Sequence, residues 1–77
     1  MDRRRFESTI RVFRDRRPFR PFTIAMVNRD RLEIDHPDAL LVRDGVGLFA
    51  GPGGVPAVFD YEGVTQMIGD LSGQGMP

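Results

Sequence analysis

Residues 18–42 read PFRPFTIAMVNRDRLEIDHPDALLV, and this stretch decides the fold. After its second proline the side chains alternate, so that Phe22, Ile24 and Met26 fall on one side of an extended chain. Successive side chains of a β-strand point to opposite faces, and this alternation therefore indicates a half-buried strand. An Asn-Arg-Asp turn follows, and the alternation resumes over residues 31–35. The sequence predicts that these two strands form an antiparallel hairpin.

Upstream of this stretch, an amphipathic helix is predicted over residues 3–16. Phe6, Ile10 and Phe13 recur at helical spacing, and Asp2 stands where a capping side chain is favoured. The proline that opens the quoted stretch ends the helix, because proline cannot continue one. The two Pro-Phe pairs form a PxxP spacing typical of SH3 ligands. Their position favours a structural role instead, in which the phenylalanines attach the helix to the sheet.

Downstream, the His-Pro-Asp step at residues 36–38 interrupts the strand pattern, because proline has no N–H to donate. Short strands are predicted over 39–42, 46–49, 56–59 and 64–68, separated by turns rich in glycine and proline. We expect an α+β, mostly β fold with an N-terminal helix and a small antiparallel meander of about five strands. Such a small sheet has exposed edges, which favours closure into an SH3-like or Sm-like barrel.

The length and composition limit the kinds of protein that fit this sequence. The chain has 77 residues, of which 40% are apolar, and it has no cysteine. This length predicts a single domain, which we assign as a helix-plus-barrel domain over residues 1–70. The LSGQGMP sequence of residues 71–77 indicates a flexible tail. Without disulfides, a chain this short depends on its core or on self-association for stability. No apolar run long enough for a signal peptide or a membrane span occurs, so we expect a cytoplasmic protein without membrane contact.

Charge is distributed unevenly although the formal net charge is zero. Residues 1–20 contain eight arginines and three acids, whereas residues 21–77 contain three arginines and eight acids. A basic segment of this kind binds nucleic acid, an acidic partner, or the acidic surface of its own domain. The candidate contact residues are six of the arginines of the predicted helix and the turn after it, namely Arg4, Arg5, Arg11, Arg14, Arg16 and Arg17.

Motifs that suggest chemistry are weak in this sequence. His36 is the only histidine, and its neighbours Asp35 and Asp38 do not make the His or Cys cluster that zinc or iron sites use. The sequence also contains no recognisable nucleophile motif and no phosphate-binding loop, since the Gly-Pro-Gly-Gly run at 51–54 lacks the following Lys-Ser/Thr pair. We predict no catalytic residue, no cofactor and no metal, and we interpret the glycine run as a hairpin tip.

Two resemblances add to this interpretation. The PFxPFxI opening and the HPD step resemble a group of very short bacterial proteins of unknown function. The segments FTIAMVNRDRLEI and DYEGVTQMI resemble the first hairpin and the last turn and strand of Sm-like proteins such as Hfq. That likeness implies edge-to-edge rings that bind RNA, although Tyr61 and Glu62 stand where Hfq proteins place basic and imidazole groups. His36-Pro37-Asp38 also matches the tripeptide of J-domains, but strands surround it here where a J-domain has helices.

These observations favour one function and leave another open. The first is a small non-enzymatic interaction module that self-associates as a homo-oligomer and docks a protein partner through a sheet edge and the basic helix. The second is an Sm-like protein that binds nucleic acid, RNA in particular, through the arginine-rich helix.

Overall fold

The computed structural model describes residues 1–69. Helix α1 spans Arg3–Asp15, close to the predicted range. It begins after Asp2, whose carboxylate accepts a hydrogen bond from the Arg5 backbone N–H at 2.8 Å. This bond satisfies one of the N–H groups that the first turn of a helix leaves without a partner. The prediction of a capped helix is therefore confirmed.

Within residues 1–69 six strands follow the helix, one more than the expected meander of about five. They are β1 (Phe22–Met26), β2 (Arg31–Ile34), β3 (Leu40–Arg43), β4 (Val46–Ala50), β5 (Pro56–Asp60) and β6 (Val64–Gly69). Short 3-10 turns at Pro37–Ala39, Pro52–Gly54 and Tyr61–Gly63 connect them. The fold is thus α+β and mostly β, as predicted.

The strands form two antiparallel sheets of three strands each. The first sheet has the order β2-β1-β6, and the second has the order β3-β4-β5. The predicted β1–β2 hairpin is confirmed, with Ile24 opposite Leu32. The last strand departs from a simple meander, because β6 returns across the domain to pair with β1 instead of with β5. The break between the two sheets lies at the predicted His-Pro-Asp step.

The core lies between the two sheets and the helix. Phe6, Ile10 and Phe13 face inward from α1, and the sheets contribute mainly large apolar side chains. Phe13 stacks on Phe22 with ring centroids 5.2 Å apart, and Phe19 meets Phe22 edge-on at 6.2 Å. These contacts confirm that the Pro-Phe segment joins helix to sheet. The remaining buried core residues are Ile24, Ile34, Leu40, Phe49, Phe59 and Val64.

A tight turn between β3 and β4 aligns the second sheet. Asp44 and Gly45 both have positive φ, at 53° and 80°. Two-residue hairpins favour this backbone because its twist matches that of the strands, and Asp-Gly is a preferred pair for it. The Gly45 carbonyl accepts a hydrogen bond from the Tyr61 N–H at 2.9 Å.

The glycine-rich run after β4 connects this strand to its antiparallel neighbour β5, which confirms the predicted hairpin tip. The predicted tail over 71–77 lies outside the described residues.

Candidate interaction surfaces

The six candidate arginines are spread around α1 and the turn after it. Arg4, Arg5, Arg11 and Arg17 are exposed, and Arg14 is half-buried. Their spread follows from the helical spacing, which does not bring all of them to one face. The structure thus does not collect the candidates into a single basic stripe.

Arg16 differs from the other candidates because it is only 8% exposed. Its guanidinium carbon lies 5.3 Å from the centre of the Phe13 ring, a cation–π distance. Its Nη2 donates to the Arg20 carbonyl oxygen at 3.4 Å. Arg16 is the residue at which the helix gives way to extended backbone, so helical spacing does not predict the direction of its side chain. In this arrangement it packs against the core as well as carrying charge.

Two of the candidates meet an arginine of the second sheet. Arg11 and Arg14 line a shallow groove between α1 and β3, together with Arg43. Glu7 and Asp44 line the same groove, so its charge is mixed. Arg43 is not among the six candidates because it lies far along the chain, and only the packing of β3 beside the helix brings it to this place.

Acidic residues form ion pairs with two arginines of the helix, Arg3 and Arg14. Arg3 lies 3.6 Å from Glu7, one turn further along the helix, a spacing at which opposite charges attract. Its Nη2 also lies 3.4 Å from Asp44, which belongs to the acidic part of the chain. Arg14 contacts Asp15 at 3.2 Å. Of these contacts, only that between Arg3 and Asp44 joins the basic helix to the acidic part of the chain, and it is a single instance of one of the three alternatives that the sequence left open.

His36 lies at the corner between the two sheets. It is exposed and precedes the 3-10 turn that starts at Pro37. Within residues 1–69 no three His, Cys, Asp or Glu side chains come together in a way that could hold a metal ion. No helix among those residues has the length and apolar character that crossing a bilayer requires.

A group of exposed aliphatic side chains lies on the outside of the second sheet. Leu41, Leu48 and Val58 stand side by side across β3, β4 and β5, because Leu41 pairs with Leu48 and Leu48 pairs with Val58. Their exposed fractions are 62%, 40% and 70%. Val46, 44% exposed, is another outward residue of β4, and Gly47, which lies between Val46 and Leu48, faces the core. We call these outward residues of the second sheet the outer face.

The outer face has charged ends. Arg43 of β3 and Asp60 of β5 both pair with Val46 in the sheet register, so the three residues form one row with opposite charges at its two ends. The next row along the strands is Leu41, Leu48 and Val58. A third row contains Ala50 and Pro56.

No family model, no curated protein and no solved structure matches this chain.

Proposed function

We propose that the protein is a small non-enzymatic interaction module that self-associates and docks a protein partner. The observation that supports this most is the outer face, where four large aliphatic side chains stand together on one sheet. Removing apolar surface from water is the main driving force of association between proteins. A contiguous apolar patch on the surface of a small protein therefore often marks a site of interaction.

The edge of the sheet belongs to the same surface. β5 is an outer strand of the second sheet, so its free edge borders the outer face. Pro56 begins this strand and has no N–H to offer to an added strand. Charged side chains alternate on β2, an outer strand of the first sheet, where Arg31 and Glu33 are exposed. Such features weaken strand addition at an edge, and we therefore place the main contact on the outer face.

Self-association is testable with a matched pair of substitutions. Val58 lies on the outer face and Val27 lies beyond the end of β1, yet both are valines, with exposed fractions of 70% and 66%. We expect sedimentation velocity over a concentration series to show a reversible oligomer of the unchanged chain. Val58→Lys is expected to weaken the oligomer at least about tenfold, because it puts a hydrated charge into an apolar contact. Val27→Lys is expected to leave it unchanged.

A strictly monomeric chain across this series would contradict the proposed self-association. Equal effects of the two lysine substitutions would mean that association does not use the outer face. Circular dichroism of each variant checks that the fold is intact.

Closure of the two sheets into an Sm-like or SH3-like barrel is the finer part of the proposal. β2 ends at Ile34 and β3 begins at Leu40, and only a short corner with one 3-10 turn separates them. If these two strands are the halves of one bent strand, the sheet order becomes β6-β1-β2/β3-β4-β5, with five strands in all. The buried side chains of both sheets then face one common core.

Nucleic-acid binding is the second candidate function, and the groove lined by Arg11, Arg14 and Arg43 favours it. Three guanidinium groups that contact phosphates predict that log K falls with log salt with a slope of about −2 for a single strand. We expect fluorescence anisotropy of a labelled single-stranded RNA to reveal this slope if the groove binds RNA. The double change Arg11→Ala and Arg14→Ala should then flatten it.

A matched control for this experiment is Arg31→Ala, which removes an exposed arginine of the first sheet. If binding is absent at low salt, or does not depend on salt, the electrostatic basis of the second candidate is lost. The control removes one charge and the groove variant removes two, so a loss from the control of half that from the groove variant would assign the effect to total charge and not to the groove.

A further inference from the structure

The outer face carries its charges in a self-complementary arrangement. Arg43 and Asp60 lie on the two outer strands of the sheet, in the same row, with Val46 between them. The Arg43 side chain is 94% exposed, and its contact with Asp44, at 3.9 Å, joins two groups that are both open to solvent. A pair of this kind contributes little stability, which leaves Arg43 available for a better partner.

Asp60 has acceptor capacity to spare. Its Oδ1 accepts a hydrogen bond from the Gly63 N–H at 3.1 Å and so caps the 3-10 turn before β6. A carboxylate has two oxygens, and this bond occupies one site on one of them. Asp60 is exposed at the end of β5 and can therefore accept from a guanidinium across an interface.

From this arrangement we infer that a second copy of the chain covers the outer face, related to the first by a twofold axis that runs parallel to β4. The inference rests on the proposed self-association and specifies its geometry. An axis along the central strand places β3 of each copy over β5 of the other. Arg43 of one copy then lies over Asp60 of its partner, and symmetry forms this pair twice.

The same operation matches the apolar residues. Leu41 of each copy lies over Val58 of the other, and the central residues Val46 and Leu48 lie over their own counterparts. Sheets that pack face to face keep their strands nearly aligned at a separation of about 10 Å, which the long arginine side chain bridges at the border of the contact.

A twofold axis that runs perpendicular to the strands, along the middle row of the outer face, gives a worse match. It places the charged row of one copy over the row that contains Ala50 and Pro56 in the other. Arg43 and Asp60 would then meet uncharged residues and lose hydration without a partner. Charge complementarity therefore selects the axis parallel to the strands.

A charge-exchange experiment tests this axis. In Arg43→Asp both symmetric pairs become Asp–Asp, and in Asp60→Arg both become Arg–Arg, so each variant alone is expected to dimerise about tenfold more weakly than the unchanged chain. In a mixture of the two variants, each mixed dimer has two Arg–Asp pairs. Sedimentation velocity of the mixture is expected to recover dimerisation to within about threefold of the unchanged chain.

Cross-linking gives a second measurement, which is independent of the cap that Asp60 provides. The chain has no cysteine, so Leu41→Cys and Val58→Cys each introduce a unique thiol at an exposed site. A bifunctional thiol reagent that spans about 5 Å should join the two variants in a mixture, because the thiols of a mixed dimer point at each other across the gap between the sheets. It should not join either variant to itself, because those two thiols are also displaced sideways by two strands, about 10 Å.

The outcomes separate the geometry from the proposed function. Recovery in the charge-exchange mixture and selective cross-linking of the mixed cysteine variants support the axis along β4. If Val58→Lys abolishes association but the mixture shows no recovery and Leu41→Cys cross-links to itself, the outer face is the interface and the inferred axis is wrong. A chain that never associates overturns the proposed function and this inference together.

Discussion

Phe6→Ala is expected to cost about 3–5 kcal/mol in the free energy of unfolding, because it removes a fully buried aromatic side chain and leaves a cavity. Phe6 is 0% exposed, and its ring meets that of Phe59 edge-on with centroids 6.1 Å apart. It therefore couples helix α1 to strand β5 of the second sheet. A domain of this size has a total stability of only about 4–12 kcal/mol, so the variant should lose about a quarter or more of it and unfold at a clearly lower urea concentration.

Urea unfolding followed by circular dichroism measures this cost. Val12→Ala is the matched control, since Val12 lies on the same helix with 56% of its surface exposed. Truncation of an exposed side chain is expected to change stability by less than about 0.5 kcal/mol. If the two variants had equal unfolding midpoints, α1 would not be docked through Phe6, and the core described here would be incorrect.

Local patterns in the sequence were sufficient to predict the helix and the first hairpin. The spacing of Phe6, Ile10 and Phe13 marks the buried side of α1, and the alternation from Phe22 to Met26 marks that of β1. Both signals arise within a few residues, where geometry ties neighbouring side chains to a face of the element. The turn residues after β1 complete the hairpin for the same reason.

Pairing between distant segments was not predictable in this way. The return of β6 to β1 depends on packing across the whole domain, and no local pattern of Val64 to Gly69 specifies its neighbour. The groove that joins Arg14 to Arg43 has the same origin. The charge counts did suggest that the basic helix could lie on an acidic surface, and the contact between Arg3 and Asp44 is one instance of this.

The outer face shows a further limit of pattern-based prediction. Alternation in β4 separates Val46 and Leu48 from Gly47 and Phe49, but it does not say which set faces the core. Both members of the first set are aliphatic, whereas the second set includes a glycine with no side chain to bury, so burial of Val46 and Leu48 would be expected. In the structure they are exposed and the glycine is buried, because the ring of Phe59 occupies the space above Gly47. The candidate association surface follows directly from this choice.

Gly47→Val is therefore expected to destabilise the domain by about 3 kcal/mol or more, although valine is the better strand former. A Cβ atom at this position would lie 2.3 Å from Cζ of Phe59, and that ring is itself packed edge-on against Phe6, so a shift of the ring would alter a core contact. Strand propensity and packing thus predict opposite signs for this substitution. Its effect on the urea midpoint decides between them.

Ala50→Val is the matched control for this prediction, because it adds a valine to the same strand on the exposed side. Measured at a concentration low enough to keep the chain monomeric, it is expected to be neutral or slightly stabilising. Combining Gly47→Val with Phe59→Leu should cost less than the sum of the two single changes, since a smaller side chain vacates part of the space that the new methyl groups need. Strict additivity, or a stabilising Gly47→Val, would mean that Phe59 does not pack over Gly47. In that case nothing would force Val46 and Leu48 outward, and the outer face would lose its physical basis.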